Sequence, residues 1–438
     1  MKLQMFQSGK GDCLLLETND GRHRMLIDGG VRQSYVTHVA PTLGELRAAR
    51  KHIDVAYISH IDDDHIAGVL QLLDDEAAWR VHEHQLRHAN PNHKPPATPR
   101  PAQVSTIYHN SFHDQIGKNS TAIESMLAAT ASILSASDDP WLATVAADRR
   151  DLAHSIPQAL KVSQRIKPNQ LNIKLNPPFE GRMMMVNDDV DTIALGTITL
   201  KVLGPFATDL RTLRKEWNNW LRDNRTAVKS IRERASVDER RLMNSELDLA
   251  LAPLQSASSQ LGAIELANAE KLGNRNKVTA PNLASLMFLA EEAGQTLLLT
   301  GDGHAKDIIR GLDHNHALDS HGKLHVSILK VQHHGSEHNI DRNFCDTISA
   351  DNYLFCGNGE HSNPELDVIK LIHDRRMAND NRAFAFWFSS SSSIETHPAR
   401  RDHMGRVERL VAKLAEQSQG RLTHHFNSGS TMRIQLAP

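Results

Sequence analysis

Val55-Ala56-Tyr57-Ile58-Ser59-His60-Ile61-Asp62-Asp63-Asp64-His65 is the stretch on which the reading of this chain turns. An apolar run stops at Ser59, and two imidazoles and three carboxylates follow within six residues, where a helix is expected from Ile66 onward. In an extended segment alternate side chains share a face, so the spacing predicts that His60, Asp62 and Asp64 converge. His65 joins them as the chain turns into the helix. Crowding that many ionisable groups is costly unless a cation neutralises them. The pattern therefore points to a metal site. The competing reading is a solvated acidic loop with Asp64 as helix cap, which accounts for neither histidine.

Four further segments carry metal-binding or catalytic residue types. Thr296-Leu297-Leu298-Leu299-Thr300-Gly301-Asp302 reads as a buried strand that ends in a carboxylate. Alone, it would be a turn with Asp302 capping a helix over 304–312. Leu329-Lys330-Val331-Gln332-His333-His334-Gly335-Ser336 reads as an apolar strand ending in paired histidines, and spacing does not choose between His333 and His334 as ligand. Val104–Tyr108 is a β-branched run closed by His109, a sensible place for a ligand, although lone histidines are more often structural. His361, in Gly357-Asn358-Gly359-Glu360-His361-Ser362-Asn363-Pro364, sits in a loop whose proline suits a helix start.

The 60–65 pattern resembles the first metal motif of the metallo-β-lactamase fold, His-x-His-x-Asp-His, with Asp62 in place of the second histidine. This variant resembles the hydrolase domain of ComEC-type competence proteins and their stand-alone relatives. Gly9-Lys10-Gly11-Asp12-Cys13, Leu26-Ile27-Asp28-Gly29-Gly30, the strand Gly196–Leu203, the Gly301-Asp302 strand end, the His333-His334-Gly335-Ser336 run and the 357–364 loop follow in the order of that family. The resemblance covers roughly 1–75 and 282–400 and implies an α/β fold, an αββα sandwich. It also implies two divalent metals, with Asp302 bridging them. His60, Asp62 and His109 would hold one; Asp64, His65 and His333 or His334 the other. Zn²⁺ is the expected metal, and the extra oxygen ligand at Asp62 makes Mn²⁺ its rival. Ser336 or the Gly335 amide would bind an oxyanion. His361 or the spare histidine of the pair would protonate the leaving group.

The bulk numbers set the bounds. At 438 residues the chain is long for one domain and short for three. The expected division is 1–205 as the first half of the core, 206–275 as a helical insertion and 276–438 as the second half. A hydrophobic content of 39% and a charged content of 23% are ordinary for a soluble globular protein. There is no membrane-length apolar run and no signal-peptide apolar core, and Cys13, Cys345 and Cys356 form no framework. A cytoplasmic protein without a membrane partner is expected. A net charge of −2 gives no global signature for nucleic acid. Within the insertion, however, Trp217 and Trp220 lie among Arg222, Arg225, Lys229 and Arg232, so aromatic stacking and phosphate contacts are conceivable there. A solvated amphipathic helix pair explains the same charges, because acidic residues offset many of them. His82, His84, His88 and His93 read as part of a polar, Pro-rich loop.

The function expected from these features is metal-assisted hydrolysis of a phosphodiester, with DNA as the leading partner on the strength of the ComEC-type resemblance. Fold alone does not fix substrate. The rival is a hydrolase of a phosphocholine-type ester, a cyclic nucleotide or a lactone, which the near-neutral charge favours. A third reading is a non-catalytic protein that kept the fold; the number of ligand-type residues argues against it.

Overall fold

The computed structural model describes residues 1–88, 90–110, 158–159, 161–186, 190, 192–208 and 285–434. Two mixed sheets face each other. The first has the strand order β15-β1-β2-β3-β4-β5-β6, and the second β14-β13-β12-β11-β10-β9-β8-β7. In the first sheet, β1 (Lys2–Phe6), β2 (Leu14–Glu17) and β3 (Arg24–Ile27) form an antiparallel meander. The sheet then continues parallel through β4 (Ile53–Tyr57) and β5 (Val104–Tyr108) to β6 (Lys174–Leu175). The second sheet repeats the plan. β7 (Ile193–Leu195), β8 (Ile198–Gly204), β9 (Met287–Glu292) and β10 (Gln295–Leu299) are antiparallel, whereas β11 (Leu324–Lys330), β12 (Ile348–Phe355), β13 (Phe384–Phe388) and β14 (Leu422–Phe426) run parallel. The last strand, β15 (Thr431–Ile434), crosses back to pair with β1.

The layering follows from period-two alternation. In β13 all five residues, Phe-Ala-Phe-Trp-Phe, are buried. Phe384, Phe386 and Phe388 pack on the helix side, while Ala385 and Trp387 point into the core between the sheets. A strand buried on both faces reads as a continuous apolar run, and each such Phe contributes roughly 1.5–3 kcal/mol through burial. Three clusters result: one between the sheets, and one beneath the helices of each outer face. The fold is the expected αββα sandwich. Its outer layers include α1 (Ala40–Ala48) and α2 (Asp63–His88) on one side, and α3 (Ala305–His314), α4 (Arg342–Thr347), α5 (Leu366–Asn379) and α6 (Pro398–Gln417) on the other.

One expectation is corrected. His82, His84 and His88 are not in a loop but on the last turns of the 26-residue helix α2. No proline or glycine interrupts the chain between Val69 and His88, so nothing stops the helix. His82 is buried against Trp79 and meets His93 through Nδ1 atoms 2.9 Å apart. The expected helical insertion lies almost wholly outside the described residues. Its two flanks, β8 and β9, are hydrogen-bonded neighbours in the second sheet. Among the described residues, no helix is long and apolar enough to cross a membrane.

Candidate metal centre

Strand ends converge at one rim of the sandwich. β4 leads into His60, β10 into Asp302, and β11 into His333 and His334. The turn after β1 brings Asp12, and the end of β3 brings Asp28. The 60–62 segment is bent rather than extended, which corrects the expected geometry. The amides of His65 and Ile66 bond the Asp62 carbonyl, so α2 starts immediately. Asp62 and Asp64 therefore reach the site from a helix N-terminus, where the helix dipole favours carboxylates. This start is pinned to β3: the Gly29 amide bonds the His65 carbonyl at 2.9 Å, and the Gly68 amide the Gly30 carbonyl at 3.0 Å. A Cβ on Gly29 or Gly68 would overlap the opposite backbone, which is why glycine stands at both.

Asp302, only 2% exposed, is the hub. Its carboxylate lies 3.7 Å from His60 Nε2, 3.5 Å from His65 Nε2, 3.7 Å from His333 Nε2 and 3.6 Å from His334 Nε2. Asp62 Oδ2 is 3.3 Å from His60 Nε2, and Asp64 Oδ2 is 3.2 Å from His334 Nε2.

The other ring nitrogen of each histidine is already engaged, and the partners fix the tautomers. Asp28 accepts from the Ser59 amide and hydroxyl, both at 2.7 Å, and from His65 Nδ1 at 2.9 Å. Because the Ser59 hydroxyl donates to Asp28, it accepts from His60 Nδ1 at 3.1 Å. His334 Nδ1 donates to the Cys356 carbonyl at 2.8 Å. Asn339 donates through Nδ2 to the Asp302 carbonyl at 2.8 Å, which leaves its oxygen to accept from His333 Nδ1 at 2.6 Å. A carbonyl or carboxylate can only accept. In their neutral form all four rings thus carry the proton on Nδ1 and turn the Nε2 lone pair towards Asp302. His60 Nε2, His65 Nε2 and Asp302 Oδ1 are buried with no hydrogen-bond partner. Buried polar atoms are rarely left so, and a metal ion is the partner that suits lone pairs of imidazole and carboxylate together. The donor set fits divalent cations.

Electrostatics agree. Burial alone would raise the Asp302 pKa, but His334, His65, His333 and His60 hold it well below the usual carboxylate range. Burial opposes charge on His334 as well, yet the charges of Asp302 and Asp12, with hydrogen bonds that the ring donates to Asp12 and Asp64, bring it up to about 10. Without a cation the pocket recruits protons in its place.

Asp12, His65, Asp302 and His334 form a buried group that could hold a metal, with one ligand atom of each lying within 4.8 Å of the others. Asp12 stands behind the histidines, however. Its Oδ1 is 3.1 Å from His334 Nδ1 and its Oδ2 3.7 Å from His65 Nδ1, on the side away from Asp302. Sequence reasoning gave Asp12, Asp28, Ser59, Asn339 and Lys330 no role. The signals were present in Gly-Lys-Gly-Asp, in Ile-Asp-Gly-Gly, and in a lone lysine inside the apolar run 326–331.

The remaining expected residues lie elsewhere. His109 ends β5 and is 1% exposed. Among the described residues neither of its ring nitrogens has a hydrogen-bond partner, and burial lowers its pKa to about 4. The His361 side chain is 52% exposed, with Glu360 3.9 Å away. Ser336 is buried, and its amide bonds the His333 carbonyl at 2.9 Å, which leaves only the hydroxyl for an oxyanion. Trp217, Trp220, Arg222, Arg225, Lys229 and Arg232 are outside the described residues.

Compared with known families, residues 8–141 match the model of the metallo-beta-lactamase superfamily. The match spans the first sheet's β2 to β5 and the 60–65 segment. Metal-dependent hydrolases make up that superfamily. No curated protein matches the chain.

Proposed function

We propose that this chain is a two-metal phosphodiester hydrolase. The observation that carries the reading is the convergence of four Nε2 lone pairs on Asp302, with three of the facing atoms unpartnered. His60, Asp62 and Asp302 would hold one ion; Asp64, His65, His334 and Asp302 the other. Charge favours two: among the described residues Asp12, Asp28, Asp62, Asp64 and Asp302 outnumber the ammoniums of Lys330 and Lys10 that act on them, and two divalent cations would offset the excess. Divalent cations there would supply Lewis acidity and acidify a coordinated water. His334 is buried among the ligands, whereas the His333 side chain is 29% exposed and faces the approach. His333 is thus the better placed of the pair to pass a proton to a leaving oxygen. His361, on the exposed loop, is the alternative donor.

DNA remains the substrate suggested by the ComEC-type resemblance. A second reading, a small polar diester, is favoured by a cavity of about 610 Å³ beside the centre. Lys10, His38, Asn358, Glu360, Glu395 and Arg400 help line it. The residues next in sequence to two of these reach the site: a Cβ on Gly11, beside Lys10, would overlap the Asp64 carbonyl, and one on Gly357, beside Asn358, would contact the His334 side chain. No Phe, Tyr or Trp is among the described residues lining it, and Arg400 is paired with Glu360 at 2.8 Å. Such a wall offers neither a stacking face nor the cationic excess that a nucleic-acid backbone requires. The test is turnover of bis(p-nitrophenyl) phosphate and of single- and double-stranded DNA after loading with Zn²⁺ or Mn²⁺. Hydrolysis of at least one diester, abolished by chelator, is expected; no hydrolysis of any by the metal-loaded protein would sink the proposal.

A further inference from the structure

Lys330 is a lysine almost without access to water. Its side chain is 2% exposed, at the end of β11. Nζ bonds the Asp12 carboxylate, donates to the Gly301 carbonyl at 3.0 Å and lies 3.6 Å from Asp302 Oδ1. Asp12 in turn contacts the Nδ1 sides of His65 and His334. A buried ammonium is costly unless charge and hydrogen bonds compensate it, and here three oxygens from two segments do so.

We infer that Lys330 and Asp12 are a positioning pair: the ammonium holds the Asp12 carboxylate behind the histidines, so that Asp12 orients the rings instead of becoming a metal ligand. This rests on the metal-centre reading above. Three observations support it. Asp12 is within ligand range, since its oxygen falls inside the 4.8 Å group with His65, Asp302 and His334. Its oxygens are nevertheless spent on Nζ and Nδ1 atoms. Lys330 also anchors the Gly301 carbonyl next to Asp302 and so fixes the strand end that carries the hub. Without the ammonium, Asp12 would be a buried, unbalanced carboxylate, and the nearest cation would be a metal. Lys330 is thereby assigned a role in metal geometry rather than in proton transfer.

The test compares wild type, Lys330→Met and the double variant Asp12→Asn/Lys330→Met. The readouts are the visible spectrum of the Co²⁺-loaded proteins and Co²⁺ affinity by chelator competition. Lys330→Met should bind Co²⁺ about tenfold more tightly, because the ammonium that repels the ion is gone, with an altered spectrum as Asp12 enters the coordination shell. The double variant should bind Co²⁺ more weakly than wild type, by about tenfold or more, because no carboxylate then orients the rings, and should return to the wild-type spectrum. An unchanged spectrum and affinity in Lys330→Met would overturn the inference. So would the same altered spectrum in both variants, since the change would then not run through Asp12. If Lys330→Met does not fold, the double variant, which leaves no lone buried charge, decides: weaker binding with the wild-type spectrum supports the pair, and unchanged affinity refutes it. A folded wild type that binds no Co²⁺ would instead refute the metal centre itself.

Discussion

Two neighbouring strands end in buried histidines, and their surroundings differ completely. Beyond β4, His60 and His65 meet Asp28, Asp62, Asp64 and Asp302, and every Nδ1 is held so that Nε2 faces a carboxylate. At the end of β5, His109 has no partner for either ring nitrogen among the described residues, and burial lowers its pKa to about 4. His334, inside the carboxylate cluster, goes the other way, to about 10. Burial acts on both in the same direction; the carboxylates decide the sign. A histidine at a strand end is therefore not a ligand by position. It becomes one where a second group fixes its tautomer and an acceptor set waits opposite.

The largest predicted effect comes from exchanging the two environments' key residues. Asp302→Asn removes the hub's charge with little change in shape, so hydrolysis should fall by orders of magnitude while the circular dichroism spectrum is unchanged. His109→Phe should leave turnover within a few-fold of wild type. Comparable losses in both variants would erase the contrast.

Asp28→Asn tests the tautomer argument one step removed from the metal. The amide can donate where the carboxylate only accepts, so Ser59 and His65 lose their fixed orientation. Metal affinity should drop by about 10- to 100-fold. Wild-type affinity, measured by chelator competition, would mean that the histidines hold their orientation without Asp28.

Acid titration should separate the two kinds of histidine by sign. His109 has a folded pKa of about 4, below its ordinary 6.5, so it favours the folded state above pH 6.5 and loses that contribution as pH falls towards 4. His334 is the reverse in the metal-free protein: raised to about 10, it contributes below pH 6.5 and loses the contribution as pH rises through 10. Chemical denaturation of wild type and His109→Phe between pH 4 and 7 should show a shallower acid loss in the variant, by on the order of 3 kcal/mol across the window. Parallel curves would remove His109 as its cause.

A smaller effect is expected at the helix start. Gly68→Ala pushes a Cβ into the Gly29 backbone and shifts the first turn of α2. A loss of about 1–3 kcal/mol follows, with weaker metal binding because Asp64 and His65 move together. A destabilised variant with wild-type metal affinity would show that the site tolerates the shift.

The sequence made the cluster's contiguous parts readable. His60 to His65 fall in one short stretch, and Asp302 and His334 each follow an apolar strand, so the density of ligand-type residues and the strand ends were enough to pick them out. What local pattern could not supply was pairing across distance. Asp12 and Lys330 meet only because β1 and β11, in different sheets, end at the same rim. Asp28 reaches Ser59 because β3 and β4 are parallel neighbours. Helix α2 was cut short in the sequence reading because histidines and charges resemble a loop when the buried face is narrow. Pro364 marks the start of helix α5, but its extent is hard to read because Leu366–Asn379 mixes charge with a thin apolar stripe, and strand β14 is hidden because Leu422–Phe426 is half polar.

The most direct test is the number of divalent ions retained per chain after loading and desalting. Wild type and His109→Phe should each hold two, and Asp302→Asn no more than one. Equal metal content in wild type and Asp302→Asn, or a folded wild type that retains none, would contradict a metal centre built on Asp302.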